Sequence, residues 1–115
     1  MNTIDLEIMK WPIIKKTLED GFGSVVIPVG VDANKKAETL ARETGHTMLA
    51  PYLITMALKQ KTIDDILEDY IDGYVHHGYK TITVVFNDEE DMKLMSAVVE
   101  KAKQKFEDTE ILMEV

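Results

Sequence analysis

The sequence contains no cysteine. That absence excludes disulfides, a thiol nucleophile and any cysteine-ligated zinc, and it fits a reducing compartment. Basic residues are scarce as well: 13 Lys and Arg stand against 21 Asp and Glu, a net charge of −8. Nucleic-acid binding depends on neutralising phosphates with Lys and Arg, so a polyanionic partner is not expected. Long apolar runs are also missing, and none approaches the ~20 residues that a membrane span needs. The opening MNTIDLEIMKW scatters acids among its apolar residues and lacks a basic region followed by an apolar one, so no secretory signal is expected. These absences together lead to the expectation of a cytoplasmic protein that engages neither nucleic acid nor membrane.

What is present reads as one domain spanning residues 1–115. A chain of this length buries roughly 65% of the surface its unfolded form exposes, enough for a core without covalent staples. Ile4, Leu6 and Ile8 alternate with acids, as in a short half-buried strand or an N-terminal arm. Pro12 suits the first position of a helix that carries Trp11, Ile14 and Leu18 on one face and ends at Gly21 and Gly23. Ser24 to Val29 is a continuous apolar run, typical of a strand covered on both faces of a parallel sheet. A helix is expected from about Ala33 to Thr44, with Asp32 or Asn34 as its cap and Gly45 as its stop. Thr47 to Ile54 reads as a second strand, with Pro51 placing its end or an edge there. Thr62 and Asp65 form a capping-box pattern ahead of the stripe Ile63, Ile66, Leu67, Tyr70, Ile71 and Tyr74. Thr81 to Phe86 is a third strand, and Asn87 or Asp88 caps a long helix to about Phe106. Ile111 to Val115 closes the chain as a strand. Strands and helices in alternation build a three-layer α/β/α sandwich with a mainly parallel sheet of about four strands.

Ligands of such sheets sit beyond the carboxyl ends of the strands. The turns there offer Asp32, Asn34, Lys35, Asn87 and Asp88 as crevice candidates, provided that their strands are neighbours. Asp32, Glu89 and Asp91 are the carboxylates from which a hard cation such as Mg²⁺ or Mn²⁺ would be held. Acids in a first helical turn also complement the helix dipole without any ligand. Lys35 and Lys36 oppose that dipole, at a cost of roughly 0.3–1 kcal/mol each, and suit a small anion held at the helix start. His76 and His77 fall in the last turn of a helix, where they complement its negative end, and His46 begins a strand. None of the three reads as a ligand or base. Nucleotide motifs do not match: Gly21-Phe-Gly23 precedes its strand, and the turn Gly30 to Lys36 lacks the glycine-lysine-hydroxyl ending of a phosphate-binding loop.

Trp11-Pro12, Val25-Val-Ile-Pro-Val-Gly30, Thr44-Gly45, Ala50-Pro51-Tyr52, Thr62-Ile-Asp-Asp-Ile-Leu, His77-Gly-Tyr-Lys-Thr-Ile-Thr-Val-Val85 and Asn87 occur in an order that resembles the creatininase (creatinine amidohydrolase) family. The likeness spans nearly the whole chain but only about the first half of a typical member. It implies a creatininase-like fold, a two-metal amidohydrolase ancestry and a homo-oligomer. The family's ligands follow its proline-valine-glycine strand as Glu-x-His and then an Asp, with a further His after a valine-asparagine-glycine turn. Here Gly30 is followed by Val31-Asp-Ala-Asn-Lys-Lys36 in a shorter loop, in which Asp32 matches the pre-helix Asp. Asp88-Glu89 stands where the family has Gly-His, and Asp91 stands where some members place a Glu. The expectation is therefore a catalytically degenerate, creatininase-like binding or assembly module without a cofactor. Its alternatives are a minimal Mg²⁺- or Mn²⁺-dependent amidohydrolase and a small-anion-binding module. A partner chain supplying the missing half is a further possibility.

Overall fold

The computed structural model describes residues 3–5, 23–45, 47–53 and 58–115. In chain order these form β1 (Thr3–Asp5), β2 (Ser24–Val29), α1 (Val31–Thr44), β3 (Thr47–Leu49), α2 (Gln60–His76), β4 (Thr81–Phe86), α3 (Glu89–Lys105) and β5 (Glu110–Glu114). The strands pair in the order β1-β3-β2-β4-β5, every neighbour parallel. β2 and β4, the two continuous apolar runs, lie at the centre in six-residue register from Ser24 opposite Thr81 to Val29 opposite Phe86. β2 is covered on both faces, which is why it does not alternate in polarity, whereas β4 opens with Thr81 and Thr83 on one face and Ile82 and Val84 on the other.

Successive residues of β2 and β4 feed opposite faces. Val25, Ile27, Val29, Ile82, Val84 and Phe86 join a large core with Ile63, Leu67 and Ile71 of α2 and Met95, Val99 and Ala102 of α3. Val26 and Val85 point the other way, onto Ala33, Ala37 and Ala41 of α1, with Leu49. The alanines recur at four-residue spacing on one side of α1, so its backbone can approach the sheet closely. The result is the expected three-layer α/β/α sandwich, with one of the described helices on one face and two on the other. The α2 and α3 surfaces are laced by the exposed pairs Lys101–Glu68 (3.6 Å) and Lys105–Asp72 (3.3 Å), each worth about 0–1 kcal/mol.

Proline limits β3. The expected strand Thr47–Ile54 is regular only to Leu49; Ile54 lies outside the described residues. Ala50 and Leu53 still donate to Val26 and Pro28 carbonyls at 2.9 Å, but Pro51 between them has no N–H to give. Pro28 itself sits in the central strand. Its carbonyl accepts from Leu53, so its nitrogen faces that same side, where the regular ladder has already ended. Pro28 therefore costs the β2–β4 ladder nothing.

Several boundaries differ from the sequence reading. α1 begins at Val31, so Asp32 and Asn34 lie inside its first turn and neither caps it; its N-cap is Gly30, without a side-chain bond. α2 begins at Gln60 after Lys59, so Thr62 is within the helix and does not cap it. There the first-turn contact is Gln60 Nε2 donating to Asp64 Oδ1 at 2.8 Å. Asp88 does cap α3, its Oδ1 accepting from the Asp91 N–H at 2.9 Å. The expected helix around Trp11 and Pro12 and the strand-opening His46 lie outside the described residues.

A crevice closed by its own asparagine

The chain leaves β2 toward β3 on one side and leaves β4 toward β5 on the other. Between their carboxyl ends is the topological switch point, where open α/β sheets place their ligands. The turns Gly30–Asn34 and Asn87–Asp91 meet there, as the sequence requires for a shared crevice. The β2–β4 register decides what meets what. Val29 is opposite Phe86, so the next residues, Gly30 and Asn87, emerge side by side.

Asn87 fills the space between the turns. Its Oδ1 accepts the Ala33 N–H at 2.8 Å, which caps α1 from a residue 54 positions away. Its carboxamide also lies near enough to Asp91 to favour that residue's ionised form. The Asn87 backbone oxygen accepts from Lys36 Nζ at 2.8 Å. Gly30 has φ +106 and ψ 161, a conformation that a Cβ disfavours. A Cβ there would also overlap the Asn87 carboxamide. Two independent constraints thus fix glycine at 30.

The sequence-selected residues have divided roles. Asn87 occupies the crevice, Asp88 caps α3, and Lys36 holds the far side of the same turn. Asp32, Lys35, Asp88 and Glu89 are exposed, while Asn34 and Asp91 are half-buried. Burial, reinforced by the charges of Asp88 and Glu90, pushes the Asp91 carboxyl above its ordinary range, and the nearby Asn87 carboxamide opposes that rise. The lysine-to-carbonyl contact was not read from the sequence, in which Lys36 looked like one of a solvated or anion-holding pair. Residue 87 falls beside residue 30 because both turns start one residue past paired strand ends, a register that the sequence pattern alone does not fix. His76 ends α2 and His77 follows it. Because the helix runs back against the parallel strands, both lie at the opposite end of the sheet from the crevice.

A two-metal site does not fit these residues. Among the described residues, no three His, Cys, Asp or Glu side chains stand close enough together to hold an ion, so Asp32, Glu89 and Asp91 do not form such a group. The position between the turns is taken by a carboxamide whose oxygen is already engaged by the Ala33 N–H.

These features define a doubly wound α/β domain whose switch-point crevice is closed from within. No protein-family model matches the chain, and no curated protein matches it. Solved structures do. A tryptophan-to-phenylalanine mutant creatininase is 14% identical with a TM-score of 0.81, covering 97% of this chain and 58% of its own. A manganese creatininase is 14% identical with a TM-score of 0.79, over 96% of this chain and 57% of its own. A creatinine amidohydrolase (creatininase) is 12% identical with a TM-score of 0.78, over 98% and 57%. The fold is creatininase-like, as the motif order suggested, and the chain spans somewhat over half the length of those proteins. Among the described residues no helix is long and apolar enough to cross a membrane.

Proposed function

We propose that this protein is a catalytically degenerate, creatininase-like domain that serves as a binding or assembly module. The observation that carries the reading is Asn87. Its amide occupies the switch-point crevice, completes the α1 terminus at Ala33 and leaves Gly30 no room for a side chain. A hydrolytic metal needs a fixed coordination set with an open position for water, and the crevice presents neither. Self-association within the cytoplasm belongs to the same proposal, supported by the creatininase likeness and the cysteine-free composition; sedimentation velocity tests the assembly.

Calorimetric titration with Mn²⁺, Zn²⁺ and Mg²⁺, paired with a creatinine hydrolysis assay in each metal, tests the loss of catalysis. The expected result is no affinity tighter than millimolar and no product. Micromolar binding with turnover overturns the reading in favour of a rebuilt carboxylate site on Asp32, Glu89 and Asp91. A thermal-shift series with inorganic phosphate and acetate tests the anion alternative at Lys35 and Lys36, for which no shift is expected.

A further inference from the structure

We propose that the sheet face beside α1 is a docking groove for a basic amphipathic helix of a partner protein. This rests on the binding-module reading above and gives that partner its chemistry. Strands stand about 4.8 Å apart and packed helices about 8–10 Å apart, so a five-strand sheet has room for two helices on each face. The face toward α2 and α3 carries two. On the other face α1 packs on β2 and β3, and among the described residues the strip over β4 and β5 is open.

Two cavities mark that strip, of 320 Å³ and 250 Å³, and they share Leu40 and Glu114. One runs toward Val85 and Val115 and the other toward Thr83 and Leu112. Together they form one trough along the length of β5. Its apolar contacts are Leu40, half-buried on α1, Leu112 at 42% exposure and Val115 at 44%. Leu112 is the informative residue. β5 alternates so that Ile111 is buried in the large core while Leu112 faces the trough. A polar residue at 112 would suit a solvated face better.

Charge selects the occupant. The trough is lined by the carboxylates Glu43, Glu110 and Glu114 and by the single ammonium of Lys36, which already donates to the Asn87 carbonyl. A second copy of a chain with net charge −8 would bring acids against acids, as would antiparallel pairing of two β5 edges centred on Leu112. A helix with a leucine-type stripe and Lys or Arg on its flanks satisfies both the apolar floor and the acidic rim. Five strand residues span about 17 Å, which corresponds to about 11 residues of helix, or three turns.

The test uses the full chain and an 18-residue synthetic helix with a Leu stripe flanked by Lys, a second peptide with Glu in place of each Lys, and ¹⁵N-resolved NMR titration. The expected result is saturable binding of the Lys peptide with shift changes centred on Leu40, Thr83, Leu112 and Val115, and none from the Glu peptide. Leu112→Lys, at an exposed position, should leave the melting temperature within a few degrees and weaken binding at least tenfold. Equal binding of both peptides, shifts elsewhere, or binding indifferent to Leu112→Lys overturns the proposal. So does self-association that Leu112→Lys abolishes, because the occupant is then a second copy. Failure here, with no metal binding or hydrolysis in the assays above, removes the groove and leaves the non-catalytic reading standing.

Discussion

The two faces of the sheet are built on different principles. Toward α2 and α3, large side chains interlock: Phe86, Ile27, Leu67, Ile71, Ile82 and Met95 are essentially inaccessible, and Tyr70, Tyr74 and Tyr79 stack edge to face at 6.1 and 5.5 Å. Toward α1, alanines hold one helix close to three apolar residues, and among the described residues the remaining strip is open. The thick face supplies most of the buried apolar area and therefore most of the stability. The thin face holds its helix by a polar device, the Asn87 cap, and leaves surface for other molecules. On the docking proposal above, stability and recognition fall on opposite sides of one sheet.

The sharpest way to break this comparison is a matched pair of truncations. Leu67→Ala on the thick face should cost about 2–5 kcal/mol in chemical denaturation, whereas Leu112→Ala on the open strip should cost less than about 0.5 kcal/mol. Equal losses would mean that the strip is no opening at all. Next in size is Gly30→Ala, for which the positive φ alone costs about 1–3 kcal/mol before the overlap with Asn87 is added. Asn87→Gly alone should cost about 1 kcal/mol as a lost cap. The double variant should cost less than the sum, with a coupling of about 0.5–3 kcal/mol; strict additivity would show that the two residues do not touch.

A smaller effect separates the faces by pH. Burial pushes the Tyr79 phenol up to about 12. Burial, then the neighbouring Tyr70 and Tyr79, pushes Tyr74 upward as well. Folded values above the ordinary 10.0 favour the neutral phenols in the native state. Their stabilisation is intact below pH 10 and is lost as pH rises through the folded values. Melting temperatures should therefore fall above pH 10, and Tyr79→Phe, which removes a buried hydroxyl with no partner among the described residues, should lessen the fall at no cost at neutral pH. The smallest effect belongs to the crevice rim. Asp91 titrates above its ordinary range, so its ionised form is disfavoured in the fold and stability gains as pH falls through that value. Asp91→Asn should raise stability only slightly at pH 7, because solvent screens so accessible a carboxyl, and the difference should vanish below the ordinary carboxylate range. A gain that persists in acid would place its origin elsewhere.

The central strands and the amphipathic α2 and α3 were legible because local pattern carries them. Ser24–Val29 and Thr81–Phe86 are continuous apolar runs with one geometric solution in a layered α/β chain, and the α2 stripe has a plain helical period. The starts of α1 and α2 were not legible for a local reason. Asp32, Asn34 and Thr62 are good cap residues by type, yet each helix begins earlier, on Gly30 or Lys59. For α1 the missing cap comes from Asn87, and no window along the chain contains both partners. The same holds for the crevice: its candidate residues could be named from their position after strands, but which of them meet depends on β2 and β4 being neighbours in register, and alternation alone does not fix that order.

The long reach of the Asn87 cap bears on how the molecule assembles. The first turn of α1 has its acceptor only once β4 has aligned with β2, so a nascent chain ending before residue 81 carries an α1 whose leading turn is incomplete. That turn and the central strand pairing should gain hydrogen-exchange protection together, as one cooperative unit, rather than in the order in which the ribosome delivers them.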